Sequence, residues 1–157
     1  MGFVSVQWMS PIYTQLFMEY LHLLILSYLA ILFGQTAADK CFDWKGNHSY
    51  ITAYFSQTPL KGISGWLFVV LLLSEAITFL CAAVGALLTL KNLWLGEATG
   101  ALQMLPAMAL AGAWFSLLSI FLGQRIAKDY AAASATTAYL TFLLLASCVF
   151  VMPATGG

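Results

Sequence analysis

The amino-acid sequence predicts an all-α fold: a four-transmembrane-helix bundle, hence a polytopic integral membrane protein. Three observations carry this. Of 157 residues, 62% are hydrophobic and only 8% charged, whereas a soluble domain averages about 25% charged. That leaves too little polar surface to cover a globule in water. Four stretches also reach the roughly 20 apolar residues needed to cross a hydrocarbon core about 30 Å thick. Backbone groups in lipid must find their partners within their own segment, and a helix provides that. A single membrane domain over residues 1–157 is the expectation.

The opening MGFVSVQWMSPIYTQ holds no charged side chain. It lacks the basic region of a signal peptide and reads as an interfacial segment with Trp8 and Tyr13 at headgroup level. The first span is placed at about 16–37. The longest loop, Ala38 to Ile63, follows with 26 residues. Within it Tyr50 to Gln57 is apolar enough for a short surface helix, ended by Pro59 and Gly62. A structureless loop of that length is uncommon, so Trp44, Tyr50, Tyr54 and Phe55 are expected to be ordered at the interface or against a partner. Asp43 and Asn47 belong to the same polar-aromatic stretch, and Asn47-His48-Ser49 is formally a glycosylation sequon. The second span, about 64–90, is the most apolar. A short loop, Lys91 to Thr99, leads to the third, about 100–123, where Pro106 frees a carbonyl that neighbouring helices can satisfy. The fourth covers about 132–152.

Small residues let membrane helices approach one another. Ala109, Gly112, Ala113, Ser116, Ser119 and Gly123 form such a stripe on the third span. Ser74, Thr78, Cys81, Ala82 and Gly85 do so on the second, and Ala131, Ser134, Ala135, Ala138 and Thr141 on the fourth. These faces are expected to pack inward, with Leu, Phe and Val turned to lipid or to a partner protein.

Glu75 lies near the middle of the second span. A central acidic residue costs roughly 2.5–3.5 kcal/mol on insertion scales, so it needs a partner within the bundle. Three readings compete: a protonated carboxyl bonded to Ser or Thr, a pair with His22, or a proton-carrying group. Counted from the first-loop ends of their spans, Glu75 and His22 come within about one helical turn of each other in depth, so a contact between them is one expectation. Glu19 and His22 form one E-x-x-H pair. A di-iron bundle needs two such pairs and two further Glu, so no metal site is expected. His22 alone is the weak candidate for a cofactor ligand.

The six basic and six acidic residues balance to zero, and no Lys/Arg cluster is present for nucleic acid. Cys41, Cys81 and Cys148 include no CxxC. No nucleophile elbow, H-E-x-x-H or P-loop occurs, so an enzyme is not expected.

Asp43-Trp44-Lys45-Gly46-Asn47-His48-Ser49-Tyr50, followed by Phe55-Ser56, and Glu75-Ala76, Thr78, Cys81 and Gly85-Ala86 resemble segments of a bacterial family of predicted small integral membrane proteins of unknown function. The resemblance covers about residues 16–90. The third loop lacks the family's longer Trp-rich segment, and the basic N-terminus is absent. The resemblance implies four spans, a bacterial inner membrane, N-in topology and a periplasmic first loop. Lys40, Lys45, Lys61, Arg125 and Lys128 against Lys91 alone point the other way, to a cytoplasmic first loop. Orientation stays open, leaning to the family topology.

Together these features predict a non-catalytic accessory subunit that packs against a larger membrane complex, respiratory or photosynthetic, with bound lipid and no other cofactor. The alternatives are a small proton-linked carrier using Glu75 and a cofactor-binding anchor using His22.

Overall fold

The computed structural model describes residues 11–95 and 101–151. Five α-helices follow in order: α1 Pro11–Phe42, α2 Trp44–Tyr54, α3 Ser64–Leu95, α4 Ala101–Ile126 and α5 Tyr130–Val151. A 3-10 turn, Lys61–Ile63, leads into α3, and no strand occurs among the described residues. Helices α1, α3, α4 and α5 are each long and apolar enough to cross a membrane. The protein is therefore an all-α, multi-pass membrane bundle. Trp8, positions 96–100 and Met152 lie outside the described residues.

The helices outrun the spans expected from hydropathy. α1 and α3 have 32 residues each, about 48 Å at 1.5 Å per residue. Hydropathy ends the first span at Ala37, but nothing in Ala38–Phe42 breaks a helix, so the backbone continues. It breaks at Asp43, which leaves helical geometry (φ −114°, ψ 58°). The Gly46 N–H donates to Asp43 Oδ1 at 3.0 Å, capping α2. Asn47 Nδ2 donates to the carbonyls of Asp39 at 3.2 Å and Asp43 at 3.0 Å, which also accept the Asp43 and Asn47 N–H groups, and so ties the end of α1 to the start of α2. A Cβ at Gly46 would collide with the Asp43 carboxylate. This device starts the loop helix at Trp44, and the helix runs to Tyr54, in place of the expected Tyr50 to Gln57.

α2 caps one end of the bundle. The Trp44 and His48 rings meet Phe68 edge-on, with centroids 4.9 and 5.6 Å away. Tyr54 Oη donates to Asp129 Oδ2 at 3.0 Å, and Phe55 is buried against Gly123. The turn between α4 and α5 lies at this same end. Lys128 adopts φ 61°, the Asp129 N–H donates to the Gln124 carbonyl at 2.9 Å, and the Lys128 N–H donates to the Arg125 carbonyl at 3.2 Å. That is a Schellman closure. Asp129 Oδ1 then accepts the Ala132 N–H at 3.0 Å and caps α5.

α1 and α3 run antiparallel, with Gly34 against Phe79 and Leu26 against Gly85. α3 and α4 approach at Gly112, where a Cβ would collide with Thr78 Oγ1. One turn away, Ser74 Oγ and Ser116 Oγ are 2.8 Å apart. α4 holds α5 through Trp114 Nε1, which donates to Ser147 Oγ at 3.0 Å, and through Gln124 Oε1, which accepts from Thr136 Oγ1 at 2.8 Å. α5 reaches α1 where Tyr28 meets Phe142 and His22 meets Phe150. Leu26, Leu29, Phe33, Ala82, Ala113 and Leu143 fill the centre.

The expected inward stripe of α3 is buried at Thr78, Cys81, Ala82 and Gly85 and half-buried at Ser74. That of α4 is buried at Ala109, Ala113, Ser116 and Gly123, while Ser119 is exposed. α5 departs from expectation. Ala131, Ser134, Ala135, Ala138 and Thr141 are exposed, and Ala133, Thr136, Leu143 and Ala146 are buried instead. The hydrogen bonds from Thr136 and to Ser147 fix the rotation of α5 and turn its small-residue face outward.

Candidate functional site

The most polar place inside the bundle is the facing of α1 and α3 at Glu75. This side chain is 1% exposed and its partner Lys40 is 15% exposed. Lys40 Nζ lies 2.9 Å from Glu75 Oε2 and donates to Oε1 at 3.1 Å. The Thr36 hydroxyl, one turn before Lys40, donates to the Phe33 carbonyl of its own helix at 3.2 Å. Lys40 Nζ also lies 3.4 Å from the Thr36 carbonyl, one turn back on its own helix. Helical side chains lean toward the N-terminus, so Lys40 in the last turn of α1 covers the level of Thr36, and Glu75 sits at that level on α3. Ser74, with Ser116 of α4, continues the polar layer across α3.

His22 does not meet Glu75. The expected contact placed the first-loop ends of the two spans at one depth. Because α1 runs on to Phe42 and α2 takes the place of a loop, Ala37 instead stands about ten residues inside α3. His22 is 14 residues from Thr36, about 21 Å along the helix. Its ring stacks on Phe150 (centroids 4.2 Å apart, 11° between planes). Nε2 is buried without a partner. Glu19, one turn away, accepts from Asn92 Nδ2 of α3 at 3.1 Å. Among the described residues no three His, Cys, Asp or Glu side chains form a cluster that could hold a metal ion.

The first-loop residues take distinct parts. Asp43 and Asn47 make the break between α1 and α2, Trp44 lies on Phe68, and Tyr54 and Phe55 reach the α4–α5 end. Tyr50 is exposed and stacks on Tyr54 at 5.8 Å. Burial, together with the bond to the Asp129 carboxylate, pushes the Tyr54 hydroxyl up to about 12. It therefore stays a donor throughout the physiological range.

Lys40 is the residue that sequence reasoning missed, because hydropathy assigned it to a loop. The usable signal was a helix-compatible Ala38–Phe42 that places Thr36 and Lys40 four residues apart on one face, beside a buried Glu that needs a cation. No family profile, curated protein or solved structure matches the chain.

Proposed function

We propose that the protein is a non-catalytic subunit that packs against a larger membrane assembly, with the outward face of α5 as its docking surface. The supporting observation is a contrast between two exposed faces. α3 turns Leu73, Ile77, Leu80, Val84 and Leu87 outward, bulky side chains that suit lipid. α5 turns out Ala131, Ser134, Ala135, Ala138 and Thr141, small side chains that let another helix approach closely. The Thr137 and Thr141 hydroxyls donate to carbonyls of their own helix, so this stretch makes few polar demands on a partner, while the exposed Tyr139, Leu144 and Leu145 frame it with bulkier side chains. A bacterial inner membrane is part of this reading, on the resemblance to the small integral membrane proteins.

The carrier reading has less support. Lys40 already holds a positive charge against Glu75, so a proton arriving there would have to displace an ion pair.

The test is native electrophoresis in mild detergent, from the native host, of the wild type and of Ala135→Leu/Ala138→Leu. The wild type should migrate well above its own 17.1 kDa. The double variant should keep its helical content and lose the larger species. A wild type running as one copy, or a double variant with unchanged mobility, would refute the proposal.

A further inference from the structure

We propose that the α2 end of the bundle is a collar for the phosphate headgroups of anionic phospholipids. Depth comes from α3. Trp66 and Trp94 are 75% and 82% exposed and stand 28 residues apart on one helix, about 42 Å. A bilayer with its headgroup regions measures about 40–45 Å, and Trp favours both headgroup levels. The two indoles therefore mark the two interfaces. Trp66 lies two residues from Phe68, on which Trp44 and His48 of α2 rest, so α2 lies at headgroup depth.

The charges at that end are sorted. The carboxylates of Asp43 and Asp129 are turned onto the N–H groups of Gly46 and Ala132, and Asp129 also takes the Tyr54 hydroxyl. Glu75 takes Lys40. Lys45, Lys61, Arg125 and Lys128 are exposed and form no ion pair among the described residues. The Arg125 guanidinium lies 4.8 Å over the Tyr130 ring, which props it at the surface. The one other carboxylate there, Asp39, is exposed on the last turn of α1. Four outward cations among Trp44, Trp66 and Tyr130, at the depth of the phosphates, outnumber the carboxylates of Asp39, Asp43 and Asp129, two of which are held by backbone N–H groups of the chain itself, and suit an anionic leaflet in charge and in amphipathic side chains. This stands on observations independent of the docking face on α5.

The test is a titration of the purified protein in nonionic detergent with short-chain phosphatidylglycerol, read by tryptophan fluorescence. Phosphatidylcholine of equal chain length and free glycerol phosphate are the comparison probes. The wild type should give a saturable response to phosphatidylglycerol at concentrations at least roughly a hundredfold below those needed for phosphatidylcholine. Lys45→Gln/Lys61→Gln/Lys128→Gln should weaken it on the order of a hundredfold, at about fivefold per cation near a headgroup plane. Raising salt from about 0.02 to about 0.5 M on the wild type should remove most of the preference by screening. That arm decides the matter even where the triple variant fails to fold. Equal responses to the two lipids, a preference unmoved by salt, an unaffected and folded triple variant, or saturation by free glycerol phosphate at the same concentrations would each overturn the proposal.

Discussion

At the scale of single residues, the pair Lys40–Glu75 is asymmetric. Lys40 stands in the last turn of α1 on a flexible stem and can move its charge toward the headgroups. Glu75 sits twelve residues into α3 and has no such route. Removing Lys40 leaves a buried carboxylate without its cation, a situation that costs roughly 3–5 kcal/mol in folded proteins. Lys40→Met should therefore destabilise the protein in detergent by about 3 kcal/mol, and Glu75→Met by clearly less. Lys40→Met/Glu75→Met should recover most of the loss, because neither charge then needs burial. Thermal melts of the four species check this, and additive single effects would mean the pair is not coupled. Tyr54 supplies a pH test. Its hydroxyl is raised from 10.0 to about 12 by burial and by Asp129. An acid raised in the folded state gives stability that is complete below its unfolded value and lost as pH climbs through its folded value. Melting temperature should fall more steeply between pH 10 and 12 in the wild type than in Tyr54→Phe. Identical alkaline profiles would mean that the bond to Asp129 contributes nothing.

At the scale of elements, the α3–α4 seam depends on a missing side chain. Thr78 Oγ1 occupies the space that a Cβ at Gly112 would need, and Thr78 in turn donates to the Ser74 carbonyl at 2.7 Å. Thr78 cannot swing away without breaking that bond. Gly112→Ala should cost about 1–3 kcal/mol as an overpacked contact, although Ala is the better helix former by roughly 1 kcal/mol. Adding Thr78→Ala should restore much of the loss. Unfolding in a denaturing detergent titration measures both, and a Gly112→Ala protein more stable than wild type would show that the seam has slack. The same logic explains why α2 begins at Trp44. Asp43, Gly46 and Asn47 form one capping unit, and substituting any of them removes a hydrogen bond or introduces a clash.

At the scale of the whole molecule, the distribution of charge carries a prediction of orientation. Lys40, Lys45, Lys61, Arg125 and Lys128 all lie at the end capped by α2, and Lys91 is near the far end of α3. Cytoplasmic faces carry the excess of Lys and Arg, and the cytoplasmic leaflet carries anionic lipid. The α2 end is therefore expected in the cytoplasm, opposite to the topology implied by the family resemblance. A Ser49→Cys reporter on the exposed surface of α2, in a Cys41→Ala/Cys148→Ala background that removes the two exposed native thiols, tests it. A membrane-impermeant maleimide should label it in inverted vesicles and leave it unlabelled in intact cells. Labelling from outside intact cells would reverse the assignment and support the family topology.

Composition and hydropathy were sufficient for the class of fold, because apolar length and the need to satisfy every backbone group in lipid admit few solutions. The inward faces of α3 and α4 were also legible, since Thr78, Gly85, Ala109 and Ala113 mark close approach by their size alone. Three features were decided only in three dimensions. Glu75 takes Lys40 and not His22 because the depth at which two helices meet depends on where each helix stops, and hydropathy reports where apolar residues stop. α5 turns its small residues outward because rotation about its axis is set by Thr136 on Gln124 and Trp114 on Ser147, bonds between residues of different helices. The collar of cations exists because α2 folds across the bundle and brings Lys45 to the same end as Arg125 and Lys128. These are relations between elements, which a local pattern along one chain does not contain.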